Sequence, residues 1–366
     1  MNRIKIDIPF FISTLILIIG GFLIFSSASL GLLTSKGGSY SSVSFNQTFF
    51  GLFLGLLACI ITSQIDYKIY RKYSFWFFIF SIFATLLVFV PHLGSAHGGA
   101  NRWIYIGPLS FQTSELLKIG YIMYLSAWLA VKDKAKEFKY GFLPFAILSA
   151  IVCLVLLKQP DTDTFLITFF AGIAIFLTAG GRWRYILLLV VIGILGLGFI
   201  AVERPYVMSR FETFLNPGQN SLTSGYQIEQ SLIAVGSGGF SGRGFGQSIQ
   251  KFNFLPEPIG DSIFAVASEE FGFVGSVGIV LLFIFFAFRG LKIAGKVPDA
   301  YGRLIVVGIV IMIVSQAFVN IGAMVGILPL SGIPLPFVSH GGTALFMTLA
   351  EVGIIFNVSK SIKRNK

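Results

Sequence analysis

The residue whose type and position most strongly suggest chemistry is Asp261, which stands where a polar, glycine-rich stretch meets an apolar run. An ionisable group at the edge of hydrocarbon is energetically costly and commonly marks a functional site. A carboxylate in that place can accept a proton from a hydroxyl group as a general base. Asp is also a favoured N-cap residue of helices, so residue type alone is equally compatible with catalysis and with capping.

Five more charged residues lie in or beside apolar runs. Glu115 and Lys118 are three positions apart and can pair on one helix face, either as a structural ion pair or as part of a substrate cavity. Glu269 and Glu270 can join neighbouring membrane helices or shape such a cavity. Asp161 stands at the entrance to a run, where it can cap a helix or line a cavity.

Basic residues on loops are candidate ligands for an anionic group. Arg102, beside Trp103, can bind a phosphate in bidentate fashion or anchor its loop at the membrane interface. Arg210, Arg243 and Lys251 are further candidates. The glycine-rich stretch that contains Arg243 lacks the spacing of a nucleotide-binding loop. Its backbone N–H groups could approach an anion, and a plain flexible loop is equally compatible.

The composition is that of a polytopic membrane protein. The chain has 366 residues, of which 55% are hydrophobic and only 12% are charged, whereas soluble domains carry about 25% charged residues. The net charge of +11 comes from short basic clusters between apolar runs. That distribution indicates membrane topology and argues against a nucleic-acid partner.

Ten apolar runs approach the roughly 20 residues that a membrane-crossing helix needs, so we predict an all-α fold with ten transmembrane helices. They cover residues 8–30, 45–63, 73–91, 111–131, 140–157, 164–179, 185–202, 262–288, 304–328 and 343–358. With the N-terminus inside, 19 Lys and Arg residues fall on inner segments and 7 on outer ones. The positive-inside rule therefore places both termini in the cytoplasm.

Two outer segments stand out within what we interpret as one membrane domain, residues 1–366. Residues 203–260 form a long extracytoplasmic loop between the seventh and eighth helices, and loops of such length are usually functional or disordered. Its regularly placed apolar residues predict that it folds onto the membrane surface. Residues 328–342 are rich in Pro and Gly and cannot continue as a helix, which predicts a bent, partly re-entrant connection beside that loop.

Several motifs carry a family resemblance. They are GYQIEQSLIAVGSGGFSGRGFGQSIQKFNFLPE followed by DSIFAVASEEFGFVG, then RWIYIGPLSFQTSELLK, QPD at 159–161, RFETFLNP, and NIGAMVGILPLSGIPLPFVSHGG. In this order they resemble the SEDS family of bacterial cell-wall polymerases, which includes FtsW, RodA and SpoVE, over essentially the whole chain. The segment GFGQSIQKFNFLPE is more similar to the division-type FtsW and SpoVE branch than to the elongation-type RodA branch.

The resemblance implies a peptidoglycan glycosyltransferase, and our hypothesis for its reaction is an inverting glycosyl transfer. Such an enzyme joins lipid II units through β-1,4 linkages on the outer face of the bacterial cytoplasmic membrane, here for septal wall synthesis during cell division. The family's essential acid falls on Asp261, in a motif that also contains Glu257. Its other motif residues fall on Arg102, Trp103, Glu115, Lys118 and Asp161.

Partners and ligands follow from the same resemblance. Lipid II is the substrate, and a class B penicillin-binding protein that cross-links the new strands is the expected partner, beside other division proteins and membrane lipid. The polyprenyl pyrophosphate leaving group needs stabilisation by cations or N–H groups. Arg102, Arg210, Arg243 and Lys251 are the basic candidates for that role. Trp103, Asp161 and Glu257 complete the set of candidate substrate-binding residues. A divalent cation could assist, but the sequence shows no ligand set, and the three histidines lack metal-binding spacing.

The chain departs from the family pattern near its essential acid. An Ala-His-Thr tripeptide usually separates Glu from Asp and a Phe follows it, whereas this chain has Pro258, Ile259 and Gly260, then Ser262. A mechanism that needs an imidazole beside Asp261 is therefore in doubt. Further departures are Asp163 for a usual Gly and His340 for a usual Tyr. The alternatives left open are a flippase for the lipid-linked precursor, an elongation-type polymerase and a scaffold for division proteins.

Overall fold

The computed structural model describes residues 6–33, 40–90, 94–97, 100–106, 109–131, 134–203, 208, 212–215 and 224–362. Arg210, a candidate ligand, lies outside them. Most of these residues are helical. The helices are α1 Ile8–Ser29, α2 Tyr40–Gln64, α3 Tyr67–Leu86, α4 Thr113–Leu129, α5 Leu143–Lys158, α6 Thr162–Thr178, α7 Trp183–Glu203, α8 Ser224–Ser237, α9 Ile263–Lys296, α10 Ala300–Met324 and α11 Gly342–Ser359.

Seven of these helices are long and apolar enough to cross a membrane: α1, α2, α3, α5, α9, α10 and α11. They coincide with seven of the ten predicted apolar runs. The other three runs correspond to α4, α6 and α7, of which α6 and the stretch Trp183–Gly193 are apolar but shorter. That these three helices also cross the membrane, and with it the complete ten-span topology, stays a prediction.

The prediction of an all-α chain needs one correction, because three short strands precede α4. They are β1 Gly94–His97, β2 Ala100–Ile106 and β3 Leu109–Gln112, and they form an antiparallel sheet in the order β1-β2-β3. Aromatic and β-branched residues of β2 favour extended backbone. Gly-Gly and Gly-Pro pairs separate the strands in sequence, and such pairs favour tight hairpin connections over helix.

The centre of the bundle is α10, which packs against α9, α6, α4 and α11. Its residues are apolar almost all the way round and most are buried, as expected for a helix surrounded by others. Helices α1 and α9 instead expose many large apolar side chains. Those exposed faces are suited to contact lipid.

Helix α9 is broken at Gly272, whose backbone has φ 64° and ψ −163°. The glycine-rich loop, residues 238–251, packs into the break and supplies the missing hydrogen bonds. The carbonyl groups of Gly239 and Phe240 accept from the N–H groups of Phe273 and Val274 at 2.9 and 3.1 Å. A Cβ at Gly272 would lie 2.2 Å from a backbone nitrogen of this loop. The glycines here therefore serve a close contact between loop and helix.

Candidate active site

Asp261 lies in the turn that leads into α9, and its side chain is half-buried. Ser262 holds the N-cap position of α9, so Asp261 is not the N-cap residue that its type alone allowed. The carbonyl of Glu257 closes the turn by accepting from the N–H groups of Gly260 and Ser262 at 3.0 and 3.2 Å. Glu257 itself is exposed. The motif therefore forms a tight turn that presents Asp261 ahead of the helix.

The Pro-rich segment 328–342 lies against this turn. Ser339 donates from its hydroxyl to the carbonyl of Gly260 at 2.8 Å. The backbone N–H of His340 donates to the carbonyl of Ile259 at 2.7 Å. Ile259 and His340 are two of the positions at which the sequence departs from the family pattern. Because they meet through backbone atoms, their unusual side chains leave this contact intact.

A buried amide on α2 holds the same segment. Gln47 donates from Nε2 to the carbonyl of Ser339 at 3.1 Å, and its Oε1 accepts from the N–H of Gly341 at 3.0 Å. Gln47 lies in Asn46–Leu54, a π-helical stretch of α2. Such stretches often occur at functional sites because they shift side chains out of regular helical register.

A second amide comes from α10. Asn320 is fully buried, and its Nδ2 donates to the carbonyl groups of Asp261 and Ile333 at 2.7 and 2.8 Å. One side chain therefore ties the turn of Asp261 directly to the Pro-rich segment. A buried donor shared by two carbonyl groups fixes their separation, because losing it would leave both acceptors without this partner.

The predicted pair Glu115–Lys118 forms on α4, with 2.8 Å between Nζ and Oε1, and both side chains are buried. Lys118 also donates to Oε1 of Gln316 at 2.9 Å, and Gln316 donates to the carbonyl of Pro334 at 3.0 Å. Glu351 on α11 is buried and interacts electrostatically with both members of the pair. The pair thus belongs to a polar network that reaches the Pro-rich segment.

Sequence reasoning missed the three amides and Glu351. A usable signal existed for Gln316 and Asn320, which are four positions apart in an otherwise apolar run and so share one helix face. Polar residues inside an apolar run are costly to bury in a membrane, as charged ones are, and commonly face the interior of the helix bundle. No comparable signal marked Gln47, which stands near the start of its run.

Arg102 on β2 reaches the turn before α6. Its Nη1 lies 3.8 Å from Oδ1 of Asp161, its Nε donates to the carbonyl of Gln159 at 3.4 Å, and its Nη2 donates to the carbonyl of Pro160. Burial raises the pKa of Asp161, and the Arg102 guanidinium opposes that shift. The Arg102 side chain keeps 20% of its area exposed, and the adjacent Trp103 is half-buried. Arg102 is thus oriented by the protein yet accessible.

Arg102 and Asp261 belong to the same end of the helix bundle. The sheet that carries Arg102 ends at Gln112, whose N–H donates to Oγ1 of Thr343 at 3.3 Å. The Thr343 hydroxyl in turn donates to the carbonyl of Ser110 at 2.7 Å. Thr343 follows directly on the Pro-rich segment, so the sheet and the turn of Asp261 are held by one continuous piece of chain.

Lys251 is buried in the protein and paired with a carboxylate, which is unlike a cation that is open to a ligand. Its Nζ is buried and lies 2.8 Å from Glu270 Oε1, 2.8 Å from the carbonyl of Gly246 and 3.1 Å from Ser27 Oγ. Ser27 also donates to the Glu270 carboxylate at 2.6 Å. Lys251 and Glu270 therefore join the loop, α1 and α9, and a contact between Lys251 and substrate stays a prediction that this burial does not favour.

Glu269 fastens the same loop to α9. It accepts from the Ser248 hydroxyl at 2.6 Å and from the N–H groups of Ile249 and Gln250, both at 3.2 Å. Arg243 Nε lies 3.3 Å from the Glu269 carboxylate, while 37% of the Arg243 side chain is exposed. Arg243 therefore combines a structural contact with access from outside the fold, which Lys251 does not.

His340 is half-buried beside an aromatic ring. Burial lowers the pKa of His340 to about 4, and its ring stacks on Phe25 with 6.0 Å between centroids. The imidazole is therefore neutral near pH 7. Within the described ranges, no three His, Cys, Asp or Glu side chains come together in a way that could hold a metal ion.

The arrangement combines the half-buried Asp261 on a tightly held turn with an oriented arginine at the same end of the bundle. A carboxylate can take a proton from an attacking hydroxyl, and a guanidinium can bind a phosphate. Such a site is suited to group transfer from a phosphorylated donor.

Comparisons with known proteins agree on one family. The family model for FtsW, RodA and SpoVE, described as "Cell cycle protein", matches residues 8–364. Stage V sporulation protein E of Bacillus subtilis is 37% identical over 95% of each chain. A protein of Geobacter metallireducens named "Probable peptidoglycan glycosyltransferase FtsW" is 40% identical over 85% of this chain and 83% of its own. A structure described as "Structural coordination of polymerization and crosslinking by a peptidoglycan synthase complex" contains a chain of 27% identity and TM-score 0.74, over 92% of this chain and 96% of that one.

Proposed function

Because this chain belongs to the FtsW/RodA/SpoVE family and is a membrane-bound peptidoglycan glycosyltransferase, we propose that it polymerises lipid II with Asp261 as the general base. The observation that carries the proposal is the position of this carboxylate. It stands ahead of α9 on a turn held by Ser339, His340 and Asn320, and it does not occupy the N-cap position.

The proposed reaction is an inverting glycosyl transfer. The Asp261 carboxylate accepts the proton from the 4-hydroxyl of the acceptor sugar as that oxygen attacks the anomeric carbon of the lipid-linked donor. The new β-1,4 bond forms while the bond to the pyrophosphate breaks, and polyprenyl pyrophosphate leaves with the electron pair. Pyrophosphate is a stable anion, so it needs electrostatic stabilisation and no proton.

Arg102 is the best-supported partner for the pyrophosphate. Three oriented contacts fix its guanidinium, and part of the side chain remains exposed. Pre-organisation of this kind lowers the entropy lost when an anion binds. Arg243 is a second accessible cation of the described residues, and Trp103 and Glu257 stay candidates for sugar or peptide contacts. Asp161 is buried beside Arg102, so its part in this proposal is to orient that arginine.

The membrane arrangement in this proposal is ten spans with both termini in the cytoplasm and the site outside. Basic residues concentrate on the segments assigned to the inside, which supports that orientation. The catalytic turn then faces the extracytoplasmic side, at the end of the long outer loop that the sequence predicts for residues 203–260. In this topology a lipid-linked donor can enter from the outer leaflet.

The cellular role we propose is septal wall synthesis together with a class B penicillin-binding protein. The similarity to proteins named FtsW and SpoVE supports a division-type role. The structural similarity to a chain of a peptidoglycan synthase complex supports a cross-linking partner. Recruitment to the division septum and contacts with other division proteins belong to the same proposal.

The Asp261→Asn variant tests the base, because it keeps the size of the side chain and removes its basicity. We expect loss of glycan product from purified protein and lipid II, measured on a gel, with an unchanged melting temperature. Asp66→Asn is the matched control, since Asp66 caps α3 and Asn caps equally well. Wild-type polymerisation by the Asp261 variant would end the assignment.

The flippase alternative gives a different outcome in the same experiment. A flippase moves the lipid-linked precursor between the leaflets of a vesicle and forms no glycan product. Wild-type protein that translocates the precursor but never polymerises it would therefore overturn the proposal. A scaffold would do neither, and it would tolerate Asp261→Asn in cells.

A further inference from the structure

Gly332 in the Pro-rich segment lies directly opposite the carboxylate of Asp261. A Cβ built on Gly332 would be 3.6 Å from Asp261 Oδ2, and no other heavy atom of the described residues would lie within 4 Å apart from its chain neighbours. Gly332 is exposed, so the space between the two residues opens outward. The added atom would meet the carboxylate and otherwise open space.

The width of this space is fixed by the protein. Asn320 binds the carbonyl of Asp261 on one side and that of Ile333, the residue after Gly332, on the other. Both contacts come from one buried Nδ2, so the two backbone segments cannot separate without losing a hydrogen bond. Ser339 adds a third contact between the same segments through Gly260.

We propose that this space is the slot through which the acceptor hydroxyl reaches Asp261, and that Gly332 sets its width. The inference rests on the proposed function. An acceptor oxygen must come within about 2.6–3.2 Å of the carboxylate to give up its proton. A methyl carbon 3.6 Å from Oδ2 on the open side would take part of the volume that this oxygen and its sugar ring need. Gly332 is thus a determinant of access for the acceptor.

The test is a size series at this position, Gly332→Ala and Gly332→Val, with Gly236→Ala as control. Gly236 lies on α8, is exposed, and has no heavy atom within 4 Å of an added Cβ. Since 3.6 Å is an ordinary van der Waals distance, Gly332→Ala should fold with an unchanged melting temperature. We expect its kcat for lipid II polymerisation to fall roughly ten- to hundredfold, because small misplacements of reacting groups have effects of that size.

The series also separates donor from acceptor. The slot holds the acceptor, so Gly332→Ala should lower kcat without weakening binding of the lipid-linked donor, and Gly332→Val should lower it further. If Gly332→Ala turned over lipid II like wild type, the slot would be refuted. The assignment of Asp261 as the base would still stand, provided that Asp261→Asn is inactive. If Asp261→Asn stayed active while the Gly332 variants lost activity, both the base and the slot beside it would be wrong.

Discussion

The buried pair Lys251–Glu270 allows a sharp test between two roles of Lys251, one indicated by the sequence and the other by the structure. The sequence makes Lys251 a candidate ligand for the pyrophosphate, whereas the structure places its ammonium 2.8 Å from Glu270 with both side chains buried. The perturbation is Lys251→Met, which keeps most of the side-chain volume and removes the charge. If the lysine is structural, the loss is one of stability.

The expected magnitude follows from the surroundings of Glu270. Removing one partner of a buried ion pair costs about 3–5 kcal/mol, because the other charge remains buried. Ser27 and Ser248 still donate to Glu270, so we expect the lower end, about 3 kcal/mol. With an unfolding entropy of roughly 2 cal/mol/K per residue, this lowers the melting temperature by about 4 °C.

The assay is a double-mutant cycle in detergent with Lys251→Met, Glu270→Gln and their combination, followed by thermal unfolding and by lipid II turnover. The combined variant should be more stable than the sum of the single losses predicts, since neither charge is then left unpaired. Lys68→Met, at an exposed lysine, is the matched control and should change the melting temperature little. If the combined variant were stable but bound lipid II poorly, Lys251 would be a substrate ligand and the structural interpretation would be refuted.

Two further predictions concern the backbone and pH. Gly272→Ala should lower the melting temperature by many degrees, because φ is 64° and the new Cβ would lie 2.2 Å from a facing backbone nitrogen. The control is Gly278→Ala on the same helix, where the new Cβ has open space; it should be neutral or stabilising by up to about 1 kcal/mol. Equal effects of the two variants on the melting temperature would contradict the break in α9. His340 has a folded pKa of about 4 against an ordinary 6.5, so the unfolded chain binds more protons between these values and stability should fall as pH decreases from about 6.5 to 4. The melting temperature of His340→Gln should vary less over that range, and an unchanged pH dependence would show that other groups cause it.

The sequence determined the class of the protein because that class depends on local properties. Apolar runs and basic clusters can be read without any contacts, since the bilayer selects for length and hydropathy alone. The position of Asp261 ahead of an apolar run was equally local, and so was the spacing of Glu115 and Lys118. The motifs around these residues pointed to the family that the comparisons then established.

What the sequence could not determine were the partners of polar residues far apart in the chain. In the sequence, Lys251 and Arg243 looked like cations without an acidic partner. Their partners Glu270 and Glu269 lie 19 and 26 positions further along the chain. The three strands were missed because a short extended segment between two apolar runs gives a weak periodic signal.

Only the tertiary structure decided how the site is held. Gln47 contacts the Pro-rich segment, up to 294 residues away in sequence. Asn320 contacts both that segment and the turn of Asp261. The space beside Gly332 exists because a buried amide fixes two backbone segments that the sequence leaves unrelated. Hydrogen bonds of this kind depend on distance and direction in space, and one-dimensional spacing determines neither.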